Sequence, residues 1–147
     1  MKVKILVIIS FLFISLYSIA QTKIYYKNTS TVVATLHNNH LYKGNSTYYS
    51  DILVTLKDNK LYNGNSNYRS DLLLYIGKYG IIYDANNKPK CNIGRYVCDK
   101  GSTYKSDRKA TIIGNNIYKG DSQYLSDLLL TTSDKIPNLI IAFLFYY

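Results

Sequence analysis

A period-two alternation of apolar and polar residues recurs along the chain. Val32, Ala34 and Leu36 begin it, and the same apolar face returns at five later places. Alternation of this kind, in segments rich in Ile, Leu, Val and Thr, predicts half-buried β-strands rather than helices. The later apolar faces are Ile52, Val54, Leu56; Leu72, Leu74, Ile76; Cys91, Ile93; Ala110, Ile112; and Leu128, Leu130.

Each of the clearest strands leads into a short turn and a second, shorter strand. The turn residues are Asn, Asp and Gly, which tolerate the positive φ angles of two-residue hairpins. In the second repeat this geometry predicts that Leu56 faces Leu61 and that Thr55 faces Tyr62. The repeating unit is therefore predicted to be a β-hairpin. The turns are centred on Asn38-Asn39, Asp58-Asn59 and Gly114-Asn115.

The segment that joins one hairpin to the next is itself repeated. LYKGNSTYYSDIL at Leu41–Leu53 returns as LYNGNSNYRSDLL at Leu61–Leu73 and as IYKGDSQYLSDLL at Ile117–Leu129, with a degenerate copy at Val97–Lys109. Serial copies of a short unit indicate one supersecondary element built several times. We count five hairpins, which bury their apolar faces by closing radially or by stacking linearly. They begin at Leu36, Leu56, Ile76, Ile93 and Ile112.

The start of the chain has the features of a secretory signal. Lys2 and Lys4 form a basic start, Ile5 to Leu16 is mainly apolar, and Ser18-Ile19-Ala20 resembles a signal-peptidase site. The apolar run is shorter than the roughly 20 residues of a membrane-spanning helix. We predict that residues 1–20 are removed, that no transmembrane span remains, and that the protein lies in the periplasm, at the cell surface or outside the cell.

The rest of the chain divides into three parts. Residues 21–31 are interpreted as a lead-in, residues 32–132 as the hairpin repeat domain, and residues 133–147 as an apolar closing segment. The last nine residues, LIIAFLFYY, are almost wholly apolar. We expect them to pack under the hairpins as a short helix or a closing strand. The alternative is an exposed apolar end that engages a partner.

The formal charge of +9 is scattered along the chain. Nucleic-acid-binding proteins usually gather such charge on one patch, and export also argues against a nucleic-acid partner. Scattered lysines are typical of solvated residues that protect strand edges. They also favour attraction to anionic surfaces or glycans.

The sequence gives no positive sign of catalysis. It contains no nucleophile elbow, no P-loop and no Glu, so any carboxylate chemistry must use Asp. We predict that the protein is not an enzyme and needs no cofactor or metal. The alternative is a small secreted hydrolase or effector. It would use His37, His40, Asp84 or Asp99.

A Ser-Asp pair precedes a strand in four repeats. Short polar side chains at such places satisfy backbone N–H groups of the loop. A ring of these carboxylates is alternatively a calcium site, but the alternating Asp spacing of a calcium loop is missing. We interpret the pairs as structural. They are Ser50-Asp51, Ser70-Asp71, Ser106-Asp107 and Ser126-Asp127.

Tyrosine is the most conspicuous candidate for binding, with 17 copies in the chain and no Trp. Repeated exposed tyrosines provide a surface for stacking on sugars or for contacting a protein. The structural alternative is that tyrosines fill hairpin surfaces. The candidate binding residues are Tyr42, Tyr62, Tyr118, Tyr48, Tyr68 and Tyr124.

Cys91 and Cys98 are the only cysteines. A two-residue turn at Gly94-Arg95 places them directly opposite each other, within bridging distance. Because disulfides persist in exported proteins, we predict a disulfide between them.

The repeat Y-K-G-N-S-x-Y-x-S-D-I-L resembles the small bacterial β-flower proteins, especially the five-fold type. The resemblance covers Val32 to Tyr147 and includes the apolar, aromatic end. It implies an all-β fold of radially arranged hairpins and no established activity. A weaker similarity is to MORN-type repeats, which also use Y-x-G units. We therefore predict an exported, non-enzymatic binding or structural module whose partner is a polysaccharide or an envelope protein.

Overall fold

The computed structural model describes residues 20–147, so the predicted signal lies outside the described residues except for Ala20. Twelve antiparallel strands form one closed barrel within this part, and a single α-helix, α1 (Asn138–Tyr146), follows them. The strands are β1 (Thr22–Tyr26), β2 (Val32–His37), β3 (His40–Lys43), β4 (Ile52–Lys57), β5 (Lys60–Asn63), β6 (Leu72–Ile76), β7 (Ile81–Asp84), β8 (Pro89–Ile93), β9 (Tyr96–Asp99), β10 (Arg108–Ile113), β11 (Asn116–Lys119) and β12 (Leu128–Thr132). Among residues 20–147 no helix has the length and apolarity that crossing a membrane requires.

The five predicted hairpins are present, but the barrel has a sixth two-stranded unit, so the expected five-fold arrangement is wrong. Units 1 to 5 are consecutive strand pairs, from β2–β3 to β10–β11, and unit 6 pairs β12 with β1. In unit 6, Ile24 lies opposite Thr132 and Tyr25 opposite Thr131. The segment interpreted as a lead-in therefore supplies a strand of the barrel. No local turn joins the two strands of unit 6, which is why the sequence pattern did not reveal it.

The predicted turns and registers of the regular repeats are confirmed. Leu56 pairs with Leu61 and Thr55 with Tyr62. The turn residues Asn38, Asn39, Asp58, Asn59 and Gly114 all have positive φ. These turns lie at one end of the barrel, which we name the turn end. The longer connections between units lie at the opposite end, which we name the loop end.

A ring of one buried residue from each unit forms the centre of the core. Each member is at most 2 % exposed. Each also pairs across the sheet with a residue of the neighbouring unit, as Leu41 does with Val54 and Leu61 with Leu74. The apolar stripe is therefore continuous around the closed barrel. The ring is Ile24, Leu41, Leu61, Ile82, Val97 and Ile117.

The helix α1 fills the interior of this barrel. It is apolar on all sides, and such a helix must be surrounded by other apolar groups. Leu139 to Ala142 are buried in the same cluster as the ring residues. Asn138 donates a hydrogen bond to the Ile93 carbonyl at the turn end, and the Tyr146 hydroxyl donates to Asp99 at the loop end. The closing segment is therefore a helix that runs along the barrel interior.

The predicted opposition of the cysteines is wrong. The turn of unit 4 is one residue longer than predicted, so Cys91 lies opposite Asp99 and Asn92 lies opposite Cys98. Because side chains alternate between the faces of a strand, this shift of one residue sends the two thiols to opposite faces. Both cysteines are buried and free.

Candidate functional site

The loop end carries four long connections that share one local structure. In three of them a Ser hydroxyl donates to an Asp carboxylate five residues later: Ser46 to Asp51, Ser66 to Asp71 and Ser122 to Asp127. In all four connections, the hydroxyl oxygen of the Ser at this position accepts a hydrogen bond from the backbone N–H of the tyrosine two residues later, with N–O distances of 2.9–3.2 Å. These contacts support a structural role for Asp51, Asp71 and Asp127, although each carboxylate accepts a Ser hydroxyl rather than the backbone N–H groups that were predicted. These bonds stabilise one conformation of each loop.

Each of these loops presents a tyrosine at the equivalent position, immediately before a short 3-10 turn. We name Tyr48, Tyr68, Tyr104 and Tyr124 the tyrosine crown. Their side chains are 73–76 % exposed. The backbone around each one is extended and nearly the same, with φ between −86° and −71°. Four aromatic rings therefore stand in solvent on equivalent loops at one end of the barrel.

The six predicted binding tyrosines separate into two groups. Tyr48, Tyr68 and Tyr124 belong to the crown, whereas Tyr42, Tyr62 and Tyr118 are only 7–8 % exposed. The buried group points outward from the strands but is covered; Tyr62, for example, lies beside loop residues Asn67 and Arg69. The expectation that all six are exposed is wrong for the buried group; of the six, only the three crown residues are exposed to solvent.

Tyr104 is a crown residue that the sequence analysis missed. It lies in the degenerate repeat KGSTYKSD, where its place after Ser102 matches that of Tyr48 after Ser46. The feature that could have identified Tyr104 is the loop motif S-x-Y-x-S-D, rather than the alternation pattern of the flanking strands.

The residues of the alternative hydrolase do not form one site. His37 and His40 face each other at the turn end. Asp84 and Asp99 end strands β7 and β9 at the loop end. Within residues 20–147 there is no group of three or more His, Cys, Asp or Glu side chains arranged to hold a metal ion.

The two aspartates have structural partners. Asp84 accepts backbone N–H groups from Asn86 and Lys88, both at 2.9 Å, and pairs with Lys90. Burial raises the pKa of Asp84, but these bonds and the Lys90 charge outweigh it, so the net pKa is lowered. Asp99 accepts from Tyr146 and pairs with Lys109 at 3.3 Å. Burial, followed by the bond to Asp99, raises the pKa of Tyr146.

The comparisons with known proteins agree with this architecture. Residues 11–107, more than half of the chain, match the model of a family described as 6-fold beta flower protein. Neither the curated proteins nor the solved structures give a match. The six two-stranded units of the barrel agree with the six-fold description. By fold and by sequence, the chain belongs to the 6-fold beta flower family.

Proposed function

We propose that this protein is an exported, non-enzymatic binding module whose tyrosine crown contacts a polysaccharide of the cell envelope or its surroundings. The observation that carries this proposal is the exposure of four tyrosines at equivalent positions of hydrogen-bonded loops. Tyrosine gives a large, rigid contact area at a low cost in side-chain entropy. Loops that are already ordered lose little further freedom on binding.

A polymer of repeated sugars suits several equivalent contacts. Each ring alone offers a weak contact, but simultaneous contacts along one chain raise the overall affinity through effective concentration. The positive charge of the protein adds attraction to acidic polysaccharides. Export is supported by the basic start, apolar run and small-residue end of residues 1–20.

The test is binding of the purified protein to a glycan array and to insoluble cell-wall polysaccharide. We expect saturable binding that is lost when Tyr48, Tyr68, Tyr104 and Tyr124 are all replaced by Ala. The matched control is Tyr79→Asn, because Tyr79 is 93 % exposed but lies between β6 and β7 at the turn end. Binding that survives the fourfold replacement, or that is lost equally in the control, would overturn the proposal.

Export has a separate test. Mass spectrometry of the protein recovered outside the cytoplasm should show a chain that begins at Gln21. A chain that keeps residues 1–20 and stays in the cytoplasm would contradict this part of the proposal.

An envelope protein is the second candidate partner. Leu125, next to Tyr124 in the fifth unit, is 71 % exposed, and an apolar side chain there suits a protein surface better than a sugar. Cross-linking from Leu125 at the native cell surface distinguishes the two candidates, because a polysaccharide gives no discrete cross-linked protein.

A further inference from the structure

A cavity of about 470 Å³ opens at the turn end of the barrel, opposite the tyrosine crown. It lies between unit 4, unit 5, β12 and the start of α1. Its wall is mainly apolar and is formed by Ile93, Ile112, Ile117, Ile136 and Ile141. Its volume is within the range of about 300–1,000 Å³ that is usual for small-molecule sites.

Three residues of the cavity lining have little bulk. Gly94 and Gly114 occupy the turns of units 4 and 5, and a Cβ atom added at either would meet nothing within 4 Å. Thr132 of unit 6 occupies the place that Leu36 and Leu56 hold in units 1 and 2, as their matching pairings with Ile24, Leu41 and Leu61 show. The shorter side chain leaves space beside the helix.

The mouth of the cavity has one charge. Lys135 is the only ionisable residue in the lining, and it is exposed to solvent. In the described part of the chain no carboxylate lies within ion-pair distance of its ammonium group. The neighbouring Asp134 carboxylate instead accepts the backbone N–H of Lys135 at 2.7 Å. The other polar residues of the lining are Asn115, Thr132 and Asn138.

We propose that this cavity binds a small amphiphile with an unbranched apolar chain and a single terminal carboxylate. The chain lies among the isoleucines of the wall, and the carboxylate lies at Lys135. A neutral molecule of the same shape fits the wall but leaves the Lys135 ammonium without a partner. An anionic sugar fits the mouth but leaves the apolar wall unused.

The test is a titration of the purified protein with straight-chain carboxylates of increasing length and with the matching alcohols, followed by methyl NMR. We expect shifts at Ile93, Ile112 and Ile117, and an affinity that rises roughly fourfold for each added methylene until the cavity is full. Lys135→Gln should weaken binding of the carboxylate by about two- to fivefold, because an ion pair at an exposed lysine contributes little, and should leave binding of the alcohol unchanged. Lys57→Gln, at the turn of unit 2, is the matched control and should change neither.

A second variant separates binding from folding. Thr132→Leu restores the side chain of units 1 and 2 and narrows the cavity, so it should weaken binding of both ligands while the melting temperature stays the same or rises. The proposal is wrong if no isoleucine of the wall shifts at millimolar carboxylate, or if Thr132→Leu binds as well as the unchanged protein. The fourfold crown variant should bind the carboxylate normally, so this result does not depend on the polysaccharide test.

Discussion

Units 1, 2 and 5 differ from the middle units 3 and 4 in their outer layer, although all five contribute to the same buried ring. In units 1, 2 and 5 a strand Thr pairs with a Tyr, and the Thr hydroxyl donates to a Gly carbonyl at the start of the next loop. In unit 3 the pair is Tyr75–Tyr83, whose rings stack with centroids 5.4 Å apart. In unit 4 it is Asn92–Cys98.

The connection after unit 3 also departs from the regular loops. It is shortened to residues 85–88 and is closed by Asp84, which accepts two backbone N–H groups. Tyrosine is absent from it, so the crown has a gap at this place. The buried ring and the hydrogen-bonded strand pairing of the closed barrel therefore define the fold, whereas the side-chain pairs on the outer face and the loops vary from unit to unit.

The largest expected effect comes from truncating a ring residue. It tests whether the ring contributes equally to stability in the regular units and in the middle units. Leu61→Ala in unit 2 and Ile82→Ala in unit 3 each remove a side chain that is at most 1 % exposed. Each should lower the free energy of unfolding by about 2–5 kcal/mol, because apolar burial is lost and a cavity remains. Urea denaturation measures both.

Leu125→Ala is the control for the ring variants, because this exposed side chain should change stability by less than about 0.5 kcal/mol. A loss in unit 3 of less than half that in unit 2 would show that the middle units are not full members of the ring.

A smaller effect distinguishes two glycines of the middle units. A Cβ at Gly77 would lie 2.6 Å from the Tyr83 ring, whereas a Cβ at Gly94 meets nothing within 4 Å. Gly77→Ala should therefore cost about 1–3 kcal/mol, because the stacked Tyr75–Tyr83 pair must move. Gly94→Ala should stay within about 0.5 kcal/mol of the unchanged protein. Equal melting temperatures for the two variants would contradict the tight packing at Tyr83.

The short connection of residues 85–88, which Asp84 closes, should make the stability of the protein depend on pH. The pKa of Asp84 is lower in the folded protein than its ordinary value of 3.8. Its contribution to stability is therefore present above about pH 4 and is lost as the pH falls through the lower, folded-state value. Asp84→Asn should cost about 1–2 kcal/mol at pH 7.

Denaturation at several pH values measures the cost of Asp84→Asn, and the difference from the unchanged protein should shrink on acidification. Asp134→Asn, at an exposed carboxylate, is the control. A difference that stays constant down to pH 2 would exclude the ionised Asp84 as its source.

The smallest effect concerns the thiols and leaves stability unchanged. Burial raises the pKa of Cys91 to about 12 and also raises that of Cys98. Since the thiolate is the reactive form, neither cysteine should react with a thiol reagent at pH 8 in the folded protein, and both should react in urea. Two unreactive sulfurs under both conditions would instead indicate the disulfide that the sequence suggested.

The sequence predicted what local patterns control. The paired Asn and Asp turns determined the registers of units 1 and 2, because their φ preferences allow few alternatives. Unit 4 was misread because Gly94 fits two turn lengths, and one extra residue exchanges the faces of Cys91 and Cys98. The burial of Tyr42 could not be predicted either, since the residues on the outward face of a strand do not indicate which loop covers them. Neither the turn length nor the covering loop can be read from the alternation of apolar and polar residues along a strand.

We expect the pairing of β1 with β12 to be the last step in the folding of the barrel. Units 1 to 5 close over short turns, but Ile24 and Thr132 lie more than a hundred residues apart. Bringing such distant ends together costs on the order of 4 kcal/mol in chain entropy, so this contact forms late and slows folding. Until it forms, the growing sheet has two free edges that can pair with other chains. We therefore expect closure of this barrel to be slow, and its open edges to be prone to aggregation until β1 pairs with β12.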